Sequence, residues 1–186
     1  MATVLIVYAT TEGHTRRVAT RIAEQVGEYG HTAVLVDAAG GTSLAPAGGV
    51  DGVIVAASVH RQRHQAHAAR WVRANLPLLR DVPTAFFSIS LSAAGDARLR
   101  DEARRYARRF LRQTRWHPTM ARLVAGALAY TRYDRLTRWR MRLIAWRRGG
   151  DTDTSRDHEY TNWERLRHDV DRFLALAVPS VAMAAT

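Results

Sequence analysis

A short polar run between an apolar segment and a helical pattern has the composition of a phosphate-binding turn. Residues 10–15 read Thr-Thr-Glu-Gly-His-Thr and follow the apolar run at 3–9. Helix N-termini present unpaired N–H groups, hydroxyls add donors, and a glycine lets the backbone approach a ligand closely. The candidate ligands of this turn are Thr10, Thr11, Glu12, Gly13, His14 and Thr15.

The chemistry that this turn allows is narrower than nucleotide binding in general. The turn lacks the lysine of a P-loop, and the chain has no Gly-x-Gly-x-x-Gly motif. A single phosphate monoester therefore fits it better than ATP or a dinucleotide does. The alternative interpretation is an ordinary threonine N-cap at a strand–helix turn.

Two later polar segments also follow apolar, β-rich runs. Ligands of open α/β sheets bind beyond the carboxyl ends of the strands, so these segments are further candidates. Their hydroxyl, amide and imidazole groups can form hydrogen bonds to the polar edge of a ring-shaped ligand. For the second segment the alternative to a ligand-binding role is a polar strand end that faces solvent. The candidates are Ser58, Val59, His60, Arg61 and His64 in the first, and Ser88, Ile89, Ser90, Leu91 and Ser92 in the second.

The histidines of the first polar segment also invite a metal interpretation. His64 and His67 are three residues apart, and His60 precedes them. No carboxylate lies nearby in sequence to complete a typical site, and the chain has no cysteine. We therefore expect no metal site.

The elements that must position these residues alternate along the chain. Apolar, β-rich runs predict strands, and apolar residues at helical spacing predict helices between them. The predicted strands are 3–9, 32–36, 52–57, 84–90 and 121–128. The predicted helices are one that follows the first polar turn and ends at Gly30, two that span 64–79 and 96–114, and a last one that begins near Thr161. Residues Thr161 to Glu164 form the predicted capping box of this last helix. Alternation of this kind predicts a doubly wound α/β domain with a parallel sheet.

The bulk composition adds a basic surface to this domain. The 186 residues carry a formal net charge of +11, and all 28 basic residues are arginine, which also fits codon bias. The positive electrostatic field of such a charge attracts nucleic acid, anionic lipid and acidic small molecules alike. We expect no signal peptide and no membrane-spanning helix, because no uncharged apolar run reaches about 18 residues.

The segment 133–148 is the most unusual stretch. At helical spacing Leu136, Trp139, Leu143 and Trp146 share one stripe, and arginines lie on the other side. This arrangement is typical of a helix that lies on an anionic membrane. The alternative is a basic helix whose stripe packs on the domain.

Several motifs follow one another along the chain: Thr10–Thr15, Ala57–His60 with His64, Pro83–Ser88, Gly126–Tyr130, Gly149–Thr154 and Tyr160–Trp163. Taken in order, they resemble those of the menaquinone-dependent protoporphyrinogen IX dehydrogenase family, the flavodoxin-like enzymes of bacterial haem synthesis. The resemblance spans about residues 3–175.

This resemblance implies a flavodoxin-like five-stranded sheet of order 2-1-3-4-5 and an FMN cofactor. FMN would place its phosphate at 10–15 and its ring beside the two later polar segments. The implied domain spans 1–177, with an insert at about 131–158, and is followed by a tail at 178–186. No tryptophan or tyrosine stands in the two ring segments, which fits an exposed flavin face and a bulky substrate.

The implied reaction is oxidation of protoporphyrinogen IX to protoporphyrin IX, with electrons passed to a membrane quinone. Candidate contacts for the substrate's propionates are Arg132, Arg135 and Arg138. The expected location is cytoplasmic, with a peripheral membrane contact through about 133–148. Alternatives are a flavodoxin-type electron carrier or an NAD(P)H:quinone reductase with the same FMN site. No specific nucleic-acid partner is expected, because no helix-turn-helix or RNA-binding signature is present.

Overall fold

The computed structural model describes residues 1–41, 49–128, 139 and 153–178. The strands are β1 (Thr3–Ala9), β2 (Thr32–Asp37), β3 (Gly52–His60), β4 (Arg63–His64), β5 (Thr84–Ser90), β6 (Met120–Ala125), β7 (Ala127–Leu128) and β8 (His158–Glu159). The helices are α1 (His14–Glu28), α2 (Ala66–Ala74), α3 (Leu76–Asp81), α4 (Ala97–Thr114) and α5 (Trp163–Ala177).

The main sheet has the predicted parallel arrangement. Its order is β2-β1-β3-β5-β6, which is 2-1-3-4-5 when the five parallel strands are numbered alone. The predicted count of five was too low by one, because the two-residue strand β4 pairs antiparallel with β3. β1 lies between β2 and β3, so the direction of winding reverses there, where α/β folds bind ligands.

The core has two halves, one on each face of the sheet. Alternate residues of β1 face opposite sides, so Val4 and Ile6 pack with α1 and α5 while Leu5 and Val7 pack with α2 and α4. Each large apolar side chain buried in this way contributes roughly 1.5–3 kcal/mol. A sheet buried on both faces explains why its strands are continuously apolar.

The first of the two later polar segments is a hairpin rather than a loop. β3 continues three residues past its predicted end at Ala57, and β4 returns beside it. The hairpin turns at Arg61 and Gln62, whose φ angles of 49° and 66° lie in the left-handed region. Two left-handed residues are the backbone requirement of the tight hairpin turn that matches the twist of the strands.

The predicted fifth strand divides at Gly126. β6 ends at Ala125, and β7 leaves the main sheet to pair antiparallel with β8. The Gly126 N–H donates to the Ser90 carbonyl oxygen at 3.1 Å, and a Cβ at Gly126 would approach the Ser90 backbone to 3.4 Å. The contact of such a Cβ would be an ordinary one, so it is the backbone hydrogen bond of Gly126 that holds β6 beside β5 at the carboxyl edge.

The last helix begins differently from the predicted capping box. Its N-cap is Asn162, whose side-chain oxygen accepts from the Arg165 N–H at 2.8 Å. Thr161 is not the cap, because its hydroxyl donates across to β6. The predicted helix 64–79 is likewise two helices, α2 and α3, which meet at Asn75.

Candidate functional site

The turn after β1 offers uncapped backbone donors at the start of α1. Gly13 is the N-cap, with φ at 88°, and no side chain accepts from the first N–H groups of the helix. The Gly13 N–H itself donates to the Thr10 hydroxyl oxygen at 2.9 Å, which fixes the turn. Free N–H groups and the positive end of the helix dipole together make a binding site for an anion.

Thr15 adds a hydroxyl that has no partner. It lies in the first turn of α1 with 1 % of its surface exposed, and its Oγ1 makes no hydrogen bond to the described residues. A buried hydroxyl left unpaired costs about 1–3 kcal/mol. A ligand with acceptor oxygens at this turn would supply the missing partner.

His14 links this turn to the loop before α5. The Thr161 hydroxyl donates its only proton to the Ala125 carbonyl oxygen at 2.7 Å and lies 2.9 Å from His14 Nε2. His14 Nε2 must therefore carry a proton and donate to Thr161. Burial lowers the pKa of His14, against a smaller opposing effect of Glu159, so the neutral ring with Nε2 protonated is favoured.

A second link joins α1 to the β7–β8 ladder. Arg17 donates to Glu159 of β8 at 2.5 Å, and its guanidinium lies 5.5 Å from the ring centre of Trp163. β7 precedes and β8 follows the segment 129–157, and the bond between Arg17 and Glu159 holds β8 beside α1. Sequence reasoning missed Arg17, Glu159 and Thr161, although it noted the motif that contains Thr161.

Gln65 joins the first turn to the end of β3. Its Nε2 donates to the Ser58 hydroxyl at 2.5 Å and to the Thr11 hydroxyl at 3.2 Å, while its Oε1 is buried without a partner. Ser58 in turn lies 3.4 Å from the Ala9 carbonyl oxygen. Sequence reasoning did not select Gln65 as a ligand; its unpaired oxygen now makes it a candidate.

His64 is directed into the core. Its ring packs 5.4 Å from Phe86 and 4.9 Å from Phe110, and its Nε2 lies 3.0 Å from the hydroxyl of the fully buried Ser88. Burial lowers the pKa of His64 to about 3. His64 and Ser88 therefore hydrogen-bond to each other. This geometry does not support their predicted contact with a ligand.

The segment after β5 keeps one free hydroxyl. Ser90 is 6 % exposed, and its Oγ has no partner among the described residues. Ser92 instead donates to Glu102 of α4 at 3.2 Å, and the Tyr106 hydroxyl donates to the same carboxylate. Of the remaining predicted residues here, Ile89 is buried and Leu91 is half-buried.

The tip of the β3–β4 hairpin carries the exposed candidates. His60 and Arg61 are exposed, and Val59 is half-buried. The register pairs Val59 with His64 and His60 with Arg63, so His60 and His64 project from opposite faces of the hairpin. Within residues 1–41, 49–128, 139 and 153–178, no three side chains form a potential metal site.

The three polar segments nevertheless meet at one edge of the sheet. Ala9 pairs with Ala57 and Ser58 pairs with Ile89, so the ends of β1, β3 and β5 are adjacent. Glu12 of the first turn is half-buried at this edge. The arginines predicted to contact the substrate, Arg132, Arg135 and Arg138, lie outside the described residues. Most of the segment 133–148 also lies outside them; its one described residue, Trp139, is helical and 61 % exposed.

Residues 5–155 match the family model of the flavodoxin domain. A relative from Escherichia coli K12, protoporphyrinogen IX dehydrogenase (quinone), is 30 % identical over 164 residues, which are 87 % of this chain and 89 % of the relative. The chain belongs to the flavodoxin-like protoporphyrinogen IX dehydrogenase family. A relative of the same name from Leishmania major is 33 % identical over 178 residues, 94 % of this chain and 77 % of the relative.

Solved structures agree on the fold. Oxidised flavodoxin 1 from Bacillus cereus superposes with a TM-score of 0.53 at 12 % identity and covers 93 % of this chain and 97 % of its own. An apo NADH:FMN oxidoreductase superposes with a TM-score of 0.56 at 10 % identity, over 95 % and 90 % of the two chains. These structures show the fold; the family model and the named relatives make the chain a flavin-dependent oxidoreductase. No described helix is long and apolar enough to cross a membrane.

The neutral His64 makes stability depend on pH. Between about pH 6.5 and pH 3 the unfolded chain binds a proton at His64 that the folded protein excludes, so stability falls as pH falls, by up to about 1.4 kcal/mol per pH unit from this group. A variant with both His64→Phe and Ser88→Ala should lose this part of the slope. Urea unfolding at pH 7, 6, 5 and 4 measures it.

The control is His60→Gln, which changes an exposed histidine on the same hairpin and should keep the wild-type slope. Equal slopes for the double variant and the wild type would show that His64 titrates normally.

Proposed function

We propose that this protein oxidises protoporphyrinogen IX with FMN and passes the electrons to a quinone. The substrate and the acceptor are those in the names of the relatives. The observation that carries the proposal is the uncapped start of α1, with Gly13 in the left-handed conformation and the buried Thr15 hydroxyl unpaired.

The described residues fit FMN by the chemistry of their donors. The phosphate needs several donors at one point, which the N–H groups after Gly13 and the hydroxyl of Thr15 offer. The isoalloxazine ring has polar atoms along one edge, which suits the unpaired Ser90 Oγ and Gln65 Oε1. These orphaned atoms lie in segments that follow β1, β3 and β5, at the edge where the fold binds ligands.

In this proposal the residues of the phosphate turn bind and orient. Thr10, Thr11 and Thr15 offer their hydroxyls and His14 its backbone N–H to the phosphate, with Glu12 in the same turn. The His14 ring is uncharged at neutral pH and donates to Thr161, so neutral donors carry the binding. Gln65, bonded to Thr11 and Ser58, holds the ring segment at a fixed distance from the phosphate turn. When bound, FMN supplies the redox chemistry, which no amino-acid side chain provides.

The remaining ring contacts come from the hairpin and from the segment after β5. Val59, His60 and Arg61 stand on the hairpin, where the Arg61 guanidinium can stabilise the anionic reduced flavin. Ile89 and Leu91 close the apolar side of the ring, and Ser92 is held by Glu102.

Substrate and acceptor approach from the segment between β7 and β8. The strand that follows this segment, β8, is held beside α1, because Glu159 is bonded to Arg17. We assign the propionates of the substrate to Arg132, Arg135 and Arg138, since guanidinium groups bind carboxylates in bidentate fashion. The stripe of tryptophan and leucine in 133–148 contacts the membrane that holds the quinone, at the cytoplasmic face.

Replacement of the unpaired hydroxyl separates a ligand role from a structural one. In Thr15→Val the affinity for FMN should fall about 10- to 100-fold, because a hydrogen bond to a charged group contributes about 1.5–3 kcal/mol. The FMN-free protein should be as stable as the wild type or more so, since no unpaired hydroxyl stays buried. Fluorescence titration and urea unfolding measure the two quantities.

The matched control is Thr114→Val. Thr114 is also buried, but its hydroxyl donates to the carbonyl oxygens of Phe110 at 2.9 Å and Leu111 at 3.2 Å. This variant should lose about 0.5–1.5 kcal/mol of stability and keep its FMN affinity. Loss of stability without loss of affinity in Thr15→Val would remove Thr15 from the site.

The activity itself is tested with the purified, FMN-loaded protein. Protoporphyrinogen IX and a soluble menaquinone analogue are added, and porphyrin fluorescence is followed without oxygen. We expect fluorescence to rise only when protein, FMN and quinone are all present. A flavin-loaded protein that is inert here but is reduced by NAD(P)H would instead be an electron carrier or a quinone reductase.

A further inference from the structure

The chain that leads into α5 contacts the start of α1 with every second side chain. Glu159 is bonded to Arg17, and the Thr161 hydroxyl lies 2.9 Å from His14 Nε2. The ring of Trp163 follows, with its centre 5.5 Å from the Arg17 guanidinium and 6.4 Å from the centre of the His14 ring. His14 and Arg17 are three residues apart and so lie on one face of the helix.

Thr161 is the central residue of this contact, because its hydroxyl is bonded on two sides. It donates to the Ala125 carbonyl oxygen at the end of β6 at 2.7 Å, and it accepts from His14 Nε2. Thr161 is only 9 % exposed, so little water competes for either hydrogen bond. The hydroxyl cannot turn without breaking one of the two bonds.

The backbone around Thr161 is itself fixed to the carboxyl edge of the sheet. The Tyr160 N–H donates to the Gly126 carbonyl oxygen at 3.1 Å, and the Gly126 N–H donates to the Ser90 carbonyl oxygen at 3.1 Å. Ser90 ends β5 and has an unpaired hydroxyl. These bonds form a connected path from the end of β5 through Thr161 to His14 in the phosphate-binding turn.

The position of His14 matters because its backbone N–H is one of the uncapped donors of α1. Gly13 is the N-cap, and no side chain holds the first N–H groups of the helix. Uncapped helix ends fray, and fraying changes the direction of the N–H groups. A side chain of the first helical residue that is bonded to the rest of the fold opposes this fraying.

We propose that Thr161 is a positioning residue for the phosphate of FMN, which acts by holding the His14 side chain and thereby the first N–H groups of α1. This assignment rests on the proposed function, because FMN is its ligand. Thr161 does not donate to the phosphate itself, since its only proton goes to Ala125. Riboflavin, which lacks the phosphate, gains nothing from the ordered N–H groups.

The test compares the affinities of flavin-free, full-length variants for FMN and riboflavin by fluorescence titration. In Thr161→Val the affinity for FMN should fall about 10-fold, the effect of one hydrogen bond, while the affinity for riboflavin stays unchanged. Thr161→Ser keeps the hydroxyl and should bind FMN nearly as tightly as the wild type. Thr161→Ala replaces the valine variant if circular dichroism shows that the latter is unfolded.

The matched control removes another contact between α5 and β6. Arg122 Nε donates to Asp169 at 2.6 Å, and Asp169 is 8 % exposed. Asp169→Ala should unfold at a lower urea concentration than the wild type and keep its FMN affinity, because this contact does not reach His14.

A double-mutant cycle tests the route through His14. His14→Phe removes the ring N–H, so Thr161→Val should weaken FMN binding little further in that background. Additive losses would overturn the proposal, as would wild-type FMN affinity of Thr161→Val, Thr161→Ser as weak as Thr161→Val, or an equal loss in Asp169→Ala. A preference for FMN over riboflavin that Thr161→Val retains in full defeats this proposal alone; equal affinities of the wild type for the two ligands defeat the phosphate site of the proposed function as well.

Discussion

Unpaired backbone donors at the start of α1 are the constraint on which the site depends. The first N–H groups of a helix have no acceptor within the helix, so they need a capping side chain or a ligand. Here the N-cap is Gly13, which has no side chain to cap them, and the Thr15 hydroxyl nearby is also unpaired. A phosphate bound at this turn would satisfy these groups together.

The residues that hold this turn come from distant parts of the chain. Thr161, in the loop before α5, connects His14 to Ala125 at the end of β6. Gln65 connects the turn to the hairpin, and Glu159 connects α1 to the β7–β8 ladder. Two of these contacts reach the turn at 10–15, through His14 and Thr11, and the third reaches α1 at Arg17.

Sequence reasoning predicted the parts of the fold that depend on hydrophobic pattern. The continuous apolar runs of β1 and β5 and the amphipathic α4 lie where they were predicted, because a sheet buried on both faces leaves little freedom in composition. The parallel arrangement followed from the alternation of strands and helices, whereas the strand order was implied by the family resemblance. The short strand β4 was missed, since two residues of polar sequence carry no periodic signal.

The fine structure of the site was less predictable because it depends on partners far apart in sequence. Thr161 has the spacing of a capping box, yet Asn162 caps α5 and Thr161 bonds across to β6. His64 was predicted at the ligand edge, but its ring packs against Phe86 and Phe110, where burial in an apolar environment favours the neutral form. Such choices are made by tertiary contacts, which local patterns do not contain.

A comparison of two ligands tests most directly whether the start of α1 binds the phosphate of the flavin. FMN and riboflavin share the isoalloxazine ring and differ only in the phosphate. Calorimetric titration of the flavin-free protein should give an affinity for FMN about 100-fold or more above that for riboflavin, because several charge-assisted hydrogen bonds depend on the phosphate. Equal affinities would contradict the account.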